Sequence, residues 1–310
     1  MDGILVVDKP IGPTSHDVVA AVRRALRQKK VGHTGTLDPN ATGVLPLVIG
    51  QATKIARFFS GGRKAYDAVV RLGITTTTLD AVGDVVEERP VDVDRDRVES
   101  VVRQFEGEIE QLPPMYSAKK VDGKRLYELA RKGVEVEREA KRVTIHRIEL
   151  VSFEAPDLQI RVECSPGTYV RVLAEDIGKT LGCGAHLHAL RRTFVEPFSI
   201  ERCVSLETIE NDPERATQSL VPMGEALSHF ASVKLPRDLA RMVGSGHQLT
   251  VSDLLSLDVP EFEPESVVVL ARDSGELLAV AKAEIASSAL GSHRRDHRAI
   301  KTERVFSSSS

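Results

Sequence analysis

The sequence predicts an α+β fold: a mixed, largely antiparallel central sheet with flanking helices, followed by a small β-rich domain near the C-terminal end. Three observations predict it. Strand and helix patterns interleave along the first 200 residues without the regular βαβ repeat of a doubly wound sheet. The 310 residues exceed what one compact domain usually holds, so two domains are expected. Residues 266–285, SVVVLARDSGELLAVAKAEI, read as a hairpin turning at Asp273–Gly275, well separated from the other strands.

The elements follow in order. Residues 3–10, GILVVDKP, are an apolar strand stopped by Pro10. Residues 13–30 predict a helix with Ser15 as N-cap and Val18, Val19, Val22 and Leu26 as its inner stripe. Arg23, Arg24, Arg27, Lys29 and Lys30 crowd its outer face and last turn, where the negative helix end suits them. A glycine-rich stretch leads to a short buried strand at 44–50 and a helical run at 52–59. Residues 64–76 alternate with period two, which places Tyr66, Ala68, Val70 and Leu72 on one face. A helix over 93–107 ends at Gly107.

Residues 113–133 begin as a rigid loop and finish as a basic helix. Strand-like runs lie around 134–137, 143–153 and 158–164. A helix at 168–182, with Thr168 as N-cap, precedes a strand pair at 185–200. Residues 211–217, NDPERAT, are polar and irregular, a candidate boundary region. The expected division is 1–228, 229–306 and a disordered tail at 307–310.

With 41% hydrophobic and 28% charged residues, the chain has the composition of a soluble globular protein with a sizeable core. No apolar run approaches 18 residues, so no membrane span is expected. MDGILVVDKP is a strand pattern, not a signal peptide. Cys164, Cys183 and Cys203 suggest neither a disulfide framework nor a zinc cluster, and a reducing cytoplasm is the simplest compartment. The net charge of −3 hides an uneven distribution: residues 1–75 carry 11 basic and 5 acidic side chains, residues 76–110 carry 4 and 11. Alternating blocks suit a local polyanion site, and equally suit ordinary solvated helix faces.

Residues 32–43, GHTGTLDPNATG, build an irregular loop around one acid, Asp38. Gly32, Gly35 and Gly43 permit backbone angles that other residues resist, and Pro39 pushes Asp38 toward extended geometry. The loop therefore presents a carboxylate between a basic helix and a buried strand. The bland alternative is a turn aspartate that caps its own backbone. A phosphate-binding loop is excluded: neither this stretch nor SGGRK (60–64) has the GxxxxGK[ST] order.

The stretch VGHTGTLDPNATGVLP (31–46) resembles the active-site motif of bacterial tRNA pseudouridine synthases of the TruB type. Four more stretches agree in order: GILVVDKPIGPTS (3–15), KAYDAVVRLG (64–73), PPMYSAKKVDGKRLYELARKG (113–133) and CSPGTYVRVLAEDIGKTLGCGAHLHALRR (164–192). The resemblance spans residues 3–202 and, more weakly, the C-terminal part. It implies the pseudouridine synthase fold with a small RNA-binding barrel of the PUA type over 229–306. It also implies isomerisation of uridine 55 in the T arm of tRNA.

By that resemblance Asp38 is the nucleophile, Arg171 its partner, and Tyr66 the residue that stacks on the target base and takes the C5 proton. An aspartate is charged at neutral pH and needs no base to activate it. His33 matches the histidine associated with the flipped base, Tyr169 and Leu190 match uracil contacts, and Lys9 matches a lysine near the site. An RNA-gripping insertion is implied at about 113–142, where Lys119, Lys120, Lys124, Arg125, Arg131 and Lys132 would hold phosphates.

No cofactor and no metal are expected. His186 with His188, and HRRDH at 293–297, have ligand-like spacing without a third partner. The expected partner is tRNA through its T arm, with no membrane and no obligatory protein partner, and a monomer suffices. One departure stands out: TTTT at 75–78 puts Thr77 where the family commonly has an aspartate, while Asp80 and Gly83 remain. Two rivals remain open, a guide-RNA-dependent synthase and a tRNA-binding folding helper whose catalysis is incidental.

Overall fold

The structure, a computed structural model, describes residues 1–116, 120–121, 124–125 and 136–306. Strand β1 (Gly3–Lys9) leads into helix α1 (Ser15–Ala25). Thr14, not Ser15, caps α1: its hydroxyl accepts from the Asp17 N–H, and the Asp17 carboxylate accepts from the Thr14 N–H. Ser15 is buried and bonds a distant loop instead. The expected inner stripe of Val18, Val19, Val22 and Leu26 is buried. The helix ends at Ala25, well short of residue 30, because Arg27 turns out of it at φ 51.

Strands β2 (Val31–His33) and β3 (Ala41–Ile49) flank the glycine-rich loop. The expected helix at 52–59 is two shorter pieces, a 3-10 turn at Gly50–Ile55 and α2 (Arg57–Ser60). In β4 (Lys64–Leu72) every second residue is buried, and Tyr66, Ala68, Val70 and Leu72 share the inner face as expected. A small hairpin of β5 (Ile74–Thr76) and β6 (Val85–Glu88) follows. Next come α3 (Arg95–Arg103), capped by Asp94, and β7 (Gly107–Gln111).

Strands β8 (Lys120–Val121) and β9 (Lys124–Arg125) pair with each other, and the basic helix expected near 126–133 lies outside the described residues. Of the run at 134–137, Val136 and Glu137 belong to no strand, and the rest lies outside the described residues. The expected strands β10 (Lys141–Glu154) and β11 (Asp157–Cys164) form a hairpin. Helix α4 (Val170–Leu181) starts two residues later than expected. Tyr169 holds the cap position, while the Thr168 hydroxyl donates to the Ser165 carbonyl. The strand pair is β12 (Ala185–Val195) and β13 (Phe198–Ser199).

With β14 (Val204–Ser205), the order across the large sheet is β14-β1-β3-β12-β4-β11-β10-β7, with β13 on β12 and β2 on β3. Only β1–β14 and β3–β12 are parallel, so the mixed, largely antiparallel class holds. Helices α3 and α4 bury one face through Val98, Val101, Val102, Leu173 and Ile177 against Val70, Leu72, Ile160 and Val162. The segment 211–217 is not irregular. Helix Leu206–Asn211 runs into helix Pro213–Gln218, with Asp212 capping the second and Pro213 fitting its first turn. That use of Asp and Pro as helix punctuation is what a polar composition concealed.

Downstream, β15 (Ala231–Leu235), β16 (Leu249–Thr250), β17 (Val267–Arg272), β18 (Leu277–Ala283) and β19 (Arg298–Val305) form a five-stranded sheet ordered β15-β17-β18-β19-β16. The β17–β18 hairpin turns where expected, with the Gly275 N–H donating to the Arg272 carbonyl. Among the described residues no helix is long and apolar enough to cross a membrane.

Candidate active site

The loop between β2 and β3 is irregular in shape but tied at almost every residue. The Thr34 N–H donates to the Pro46 carbonyl. Arg192 Nη2 and Nη1 donate to the carbonyls of Gly35 and Thr36. Ser15 Oγ accepts from the Leu37 N–H at 2.8 Å and donates to the Leu37 carbonyl at 3.0 Å. Lys9 Nζ donates to the carbonyls of Pro39 at 3.1 Å and Ala41 at 2.7 Å, and the Gly12 N–H also reaches Pro39. The Ala41 N–H closes the turn onto the Asp38 carbonyl. Backbone fixed this way holds one side chain, Asp38, in a set direction.

Asp38 stands partly open to solvent: its side chain is 47% exposed. Its Oδ2 is 3.1 Å from Nη2 of Arg171, whose own side chain is 9% exposed. Among the described residues Oδ1 takes no partner, so the oxygen with the free lone pairs is the one available to a substrate. Arg171 comes from the first turn of α4 and also meets Asp80 Oδ2 at 3.3 Å through Nη1. Nη2 donates to the Tyr116 carbonyl at 2.9 Å. Two carboxylates and two carbonyls, including that of Thr78, thus hold a nearly buried guanidinium and aim its fork at Asp38.

Asp80 is placed by the loop that carries the family departure. Its Oδ1 accepts from the Thr78 hydroxyl at 2.5 Å and from the Val82 N–H. Thr77 hydroxyl oxygen accepts from the Asp84 N–H at 3.1 Å, which an aspartate oxygen could also do, so the substitution keeps the turn.

Asp38, Tyr66, Tyr169, Arg171, Leu190 and Arg192 meet around a cleft of about 320 Å³, at the small end of the usual range for ligand sites. Tyr66 is 7% exposed, so it is both a core aromatic and a cleft wall. Burial pushes its phenol upward in pKa, partly offset by the positive Arg192, so the resting group is a neutral hydroxyl. Tyr169 is locked by a reciprocal pair: its N–H donates to Gln111 Oε1 at 3.0 Å, and Gln111 Nε2 donates to its carbonyl at 3.3 Å.

Lys9 is fully buried beneath the loop and contributes structure rather than surface. Burial pulls its pKa down to about 8, against the pull of Asp38. His33 lies on β2 outside the cleft lining. Its buried Nδ1 has no hydrogen-bond partner, its ring meets His16 edge-on at 5.8 Å, and burial lowers its pKa. Lys119, Arg131 and Lys132 lie outside the described residues, and of Lys120, Lys124 and Arg125 only the strand backbone is described. His186 Nδ1 meets the Ile74 carbonyl at 3.0 Å, a structural bond, and His293 stacks on His297 with centroids 4.9 Å apart.

Sequence reasoning missed Ser15 as a loop anchor, Asp80 as a partner of Arg171, and Arg192. For Arg192 a signal existed. Counted on the face of β12 that opposes Tyr66 and Ala68, Leu190 and Arg192 point the same way, so an inward arginine stood beside an inward tyrosine.

Comparison with known proteins agrees along most of the chain. The TruB family pseudouridylate synthase N-terminal domain matches residues 23–170, and the tRNA pseudouridylate synthase B C-terminal domain matches residues 171–228. The tRNA pseudouridine synthase B of Azoarcus sp. is 50% identical over 250 residues, covering 80% of this chain and 83% of that protein. The tRNA pseudouridine synthase B of Pseudomonas aeruginosa is 51% identical over 240 residues, covering 76% of this chain and 79% of that protein. Among solved structures, a chain of a Cbf5-Nop10-Gar1 complex superposes with a TM-score of 0.78 at 30% identity, over 98% of this chain and 85% of its own.

Proposed function

The chain belongs to the TruB family of pseudouridylate synthases, and from that premise we propose that it isomerises uridine 55 in the T arm of tRNA to pseudouridine with Asp38 as nucleophile. The observation that carries this reading is Asp38, held by Arg171 through one oxygen, in the lining of a nucleoside-sized cleft whose walls include Tyr66 and Arg171. The reaction breaks the N1–C1′ bond and makes a C5–C1′ bond. C5 gives up a proton and N1 gains one, so atoms balance and no electrons are exchanged, and the chemistry calls for no cofactor.

A uridine in a folded loop must leave its stack to enter such a cleft, at an expense of a few kcal/mol. The Tyr66 ring offers the replacement stacking surface, and Tyr169 and Leu190 close the sides. Arg171 holds one carboxylate oxygen of Asp38, so the other meets the sugar or the base in a set geometry. The basic residues of the 113–142 insertion fit phosphate contacts that give affinity rather than sequence choice.

The test is pseudouridine mapping on an unmodified tRNA transcript with purified protein alone. Wild type should form one pseudouridine, at position 55, and Asp38→Ala none. A wild type silent without added RNA or protein favours the guide-dependent reading, which the likeness to the Cbf5-Nop10-Gar1 complex makes the specific alternative. Modification by Asp38→Ala would remove the nucleophile assignment.

A further inference from the structure

Arg192 has no part in the chemistry so far, yet it is the most deeply buried charge lining the cleft, at 2% exposed. On β12 it lies in register with Tyr66 of β4 on one side and Gly43 of β3 on the other. Its Nε donates to the Val44 carbonyl at 2.8 Å, Nη1 to Thr36 at 3.3 Å and Nη2 to Gly35 at 3.2 Å. Arg192 and Tyr66 line the same cleft.

The neighbouring backbone is shaped around this residue. Gly43 has φ +101, and a Cβ there would stand 2.1 Å from the Arg192 carbonyl. A guanidinium this buried is normally matched by a carboxylate. Here three loop and strand carbonyls take its donors, one on each of its three nitrogens, which the guanidinium's planar fork serves in a fixed geometry.

We infer that Arg192 is a positioning residue for the isomerisation. From the strand that pairs with Tyr66, one guanidinium holds the backbone two and three residues ahead of Asp38, and so sets the distance between nucleophile and stacking ring. The inference rests on the isomerase reading of the cleft. A displacement of about 1 Å between reacting groups lowers a rate on the order of a hundredfold, which sets the scale of the effect.

The experiment measures single-turnover pseudouridine formation, tRNA dissociation constant and thermal midpoint for wild type, Arg192→Lys and Arg192→Ala. Arg192→Lys keeps the charge and loses the fork. It should bind tRNA within about threefold of wild type, unfold within a few degrees of it, and form pseudouridine roughly a hundredfold slower. In Arg192→Ala, added guanidinium ion should restore part of the rate. A working wild type with Arg192→Lys at full speed overturns the inference alone, as does a slow Arg192→Lys whose affinity or folded fraction falls by the same factor. A wild type that forms no pseudouridine sinks the functional reading and this inference with it.

Discussion

Lys9 shows how a single buried side chain connects folding to chemistry. Its ammonium donates to the carbonyls of Pro10, Pro39 and Ala41, so two of its three hydrogens pin the turn that presents Asp38. Burial holds its pKa near 8, and the charged form is the one that makes all three bonds. The sign follows: below about 8 the anchor is complete, and above it the amine loses a donor and its attraction for Asp38. Single-turnover rates should therefore fall as pH rises through about 8, and the fall should vanish in Lys9→Gln, which is slow at every pH. A wild-type rate flat to pH 9.5 would show that the anchor does not depend on that proton. At this scale the sequence was partly legible. Asp38, Arg171, Tyr66, Tyr169 and Leu190 converge as the motifs implied, because each motif marks a distinct chemical need. Ser15 and Asp80 were hidden, because their partners are backbone groups or residues from segments far along the chain.

Among the elements, the junction of β3 and β12 is where the site depends most on backbone shape. These strands run parallel, and Gly43 pairs with Arg192. At φ +101 and with a Cβ 2.1 Å from the Arg192 carbonyl, no side chain fits at Gly43 without separating the strands. Gly43→Ala should destabilise the protein by about 3 kcal/mol, from positive-φ strain and the forced shift together. Pseudouridine formation should fall further than stability explains, because the shift moves Arg192 off the Asp38 loop. Urea unfolding and single-turnover rates measure the two effects, and wild-type values for both would contradict this account. Element types were legible from periodicity: β4 alternates as read, and the inner stripe of α1 is buried. Boundaries were not. Thr14 took the cap from Ser15 because Ser15 was needed at Leu37, a tertiary demand that no local pattern records.

Across the whole molecule, the proposed boundary near 228 separates two sheets, and the small one has a core of its own, yet another apolar cluster spans the boundary. Val269, Leu277, Val280 and Phe306 of the C-terminal part share one apolar cluster with Ile4, Val6, Phe59 and Phe198 of the large domain. Lys54 lies over the Phe306 ring at 5.4 Å, and Arg57 pairs with Glu303, so the polar rim of the contact crosses the same boundary. The hairpin at 266–285 and its turn were readable from alternation, yet nothing in that pattern says which surface its outer face covers. A chain cut after residue 228 would expose several large apolar side chains at roughly 1.5–3 kcal/mol each, a loss on the order of 5 kcal/mol. For a protein of this size that corresponds to a fall in thermal midpoint of about 10 °C or more. The 1–228 fragment should accordingly unfold early and self-associate at concentrations where the full chain does not, and it should lose activity through its fold rather than through Asp38. Calorimetry with light scattering measures this, and a fragment that stays dispersed with the full-length midpoint would mean that the small sheet is an appendage the large domain does not need.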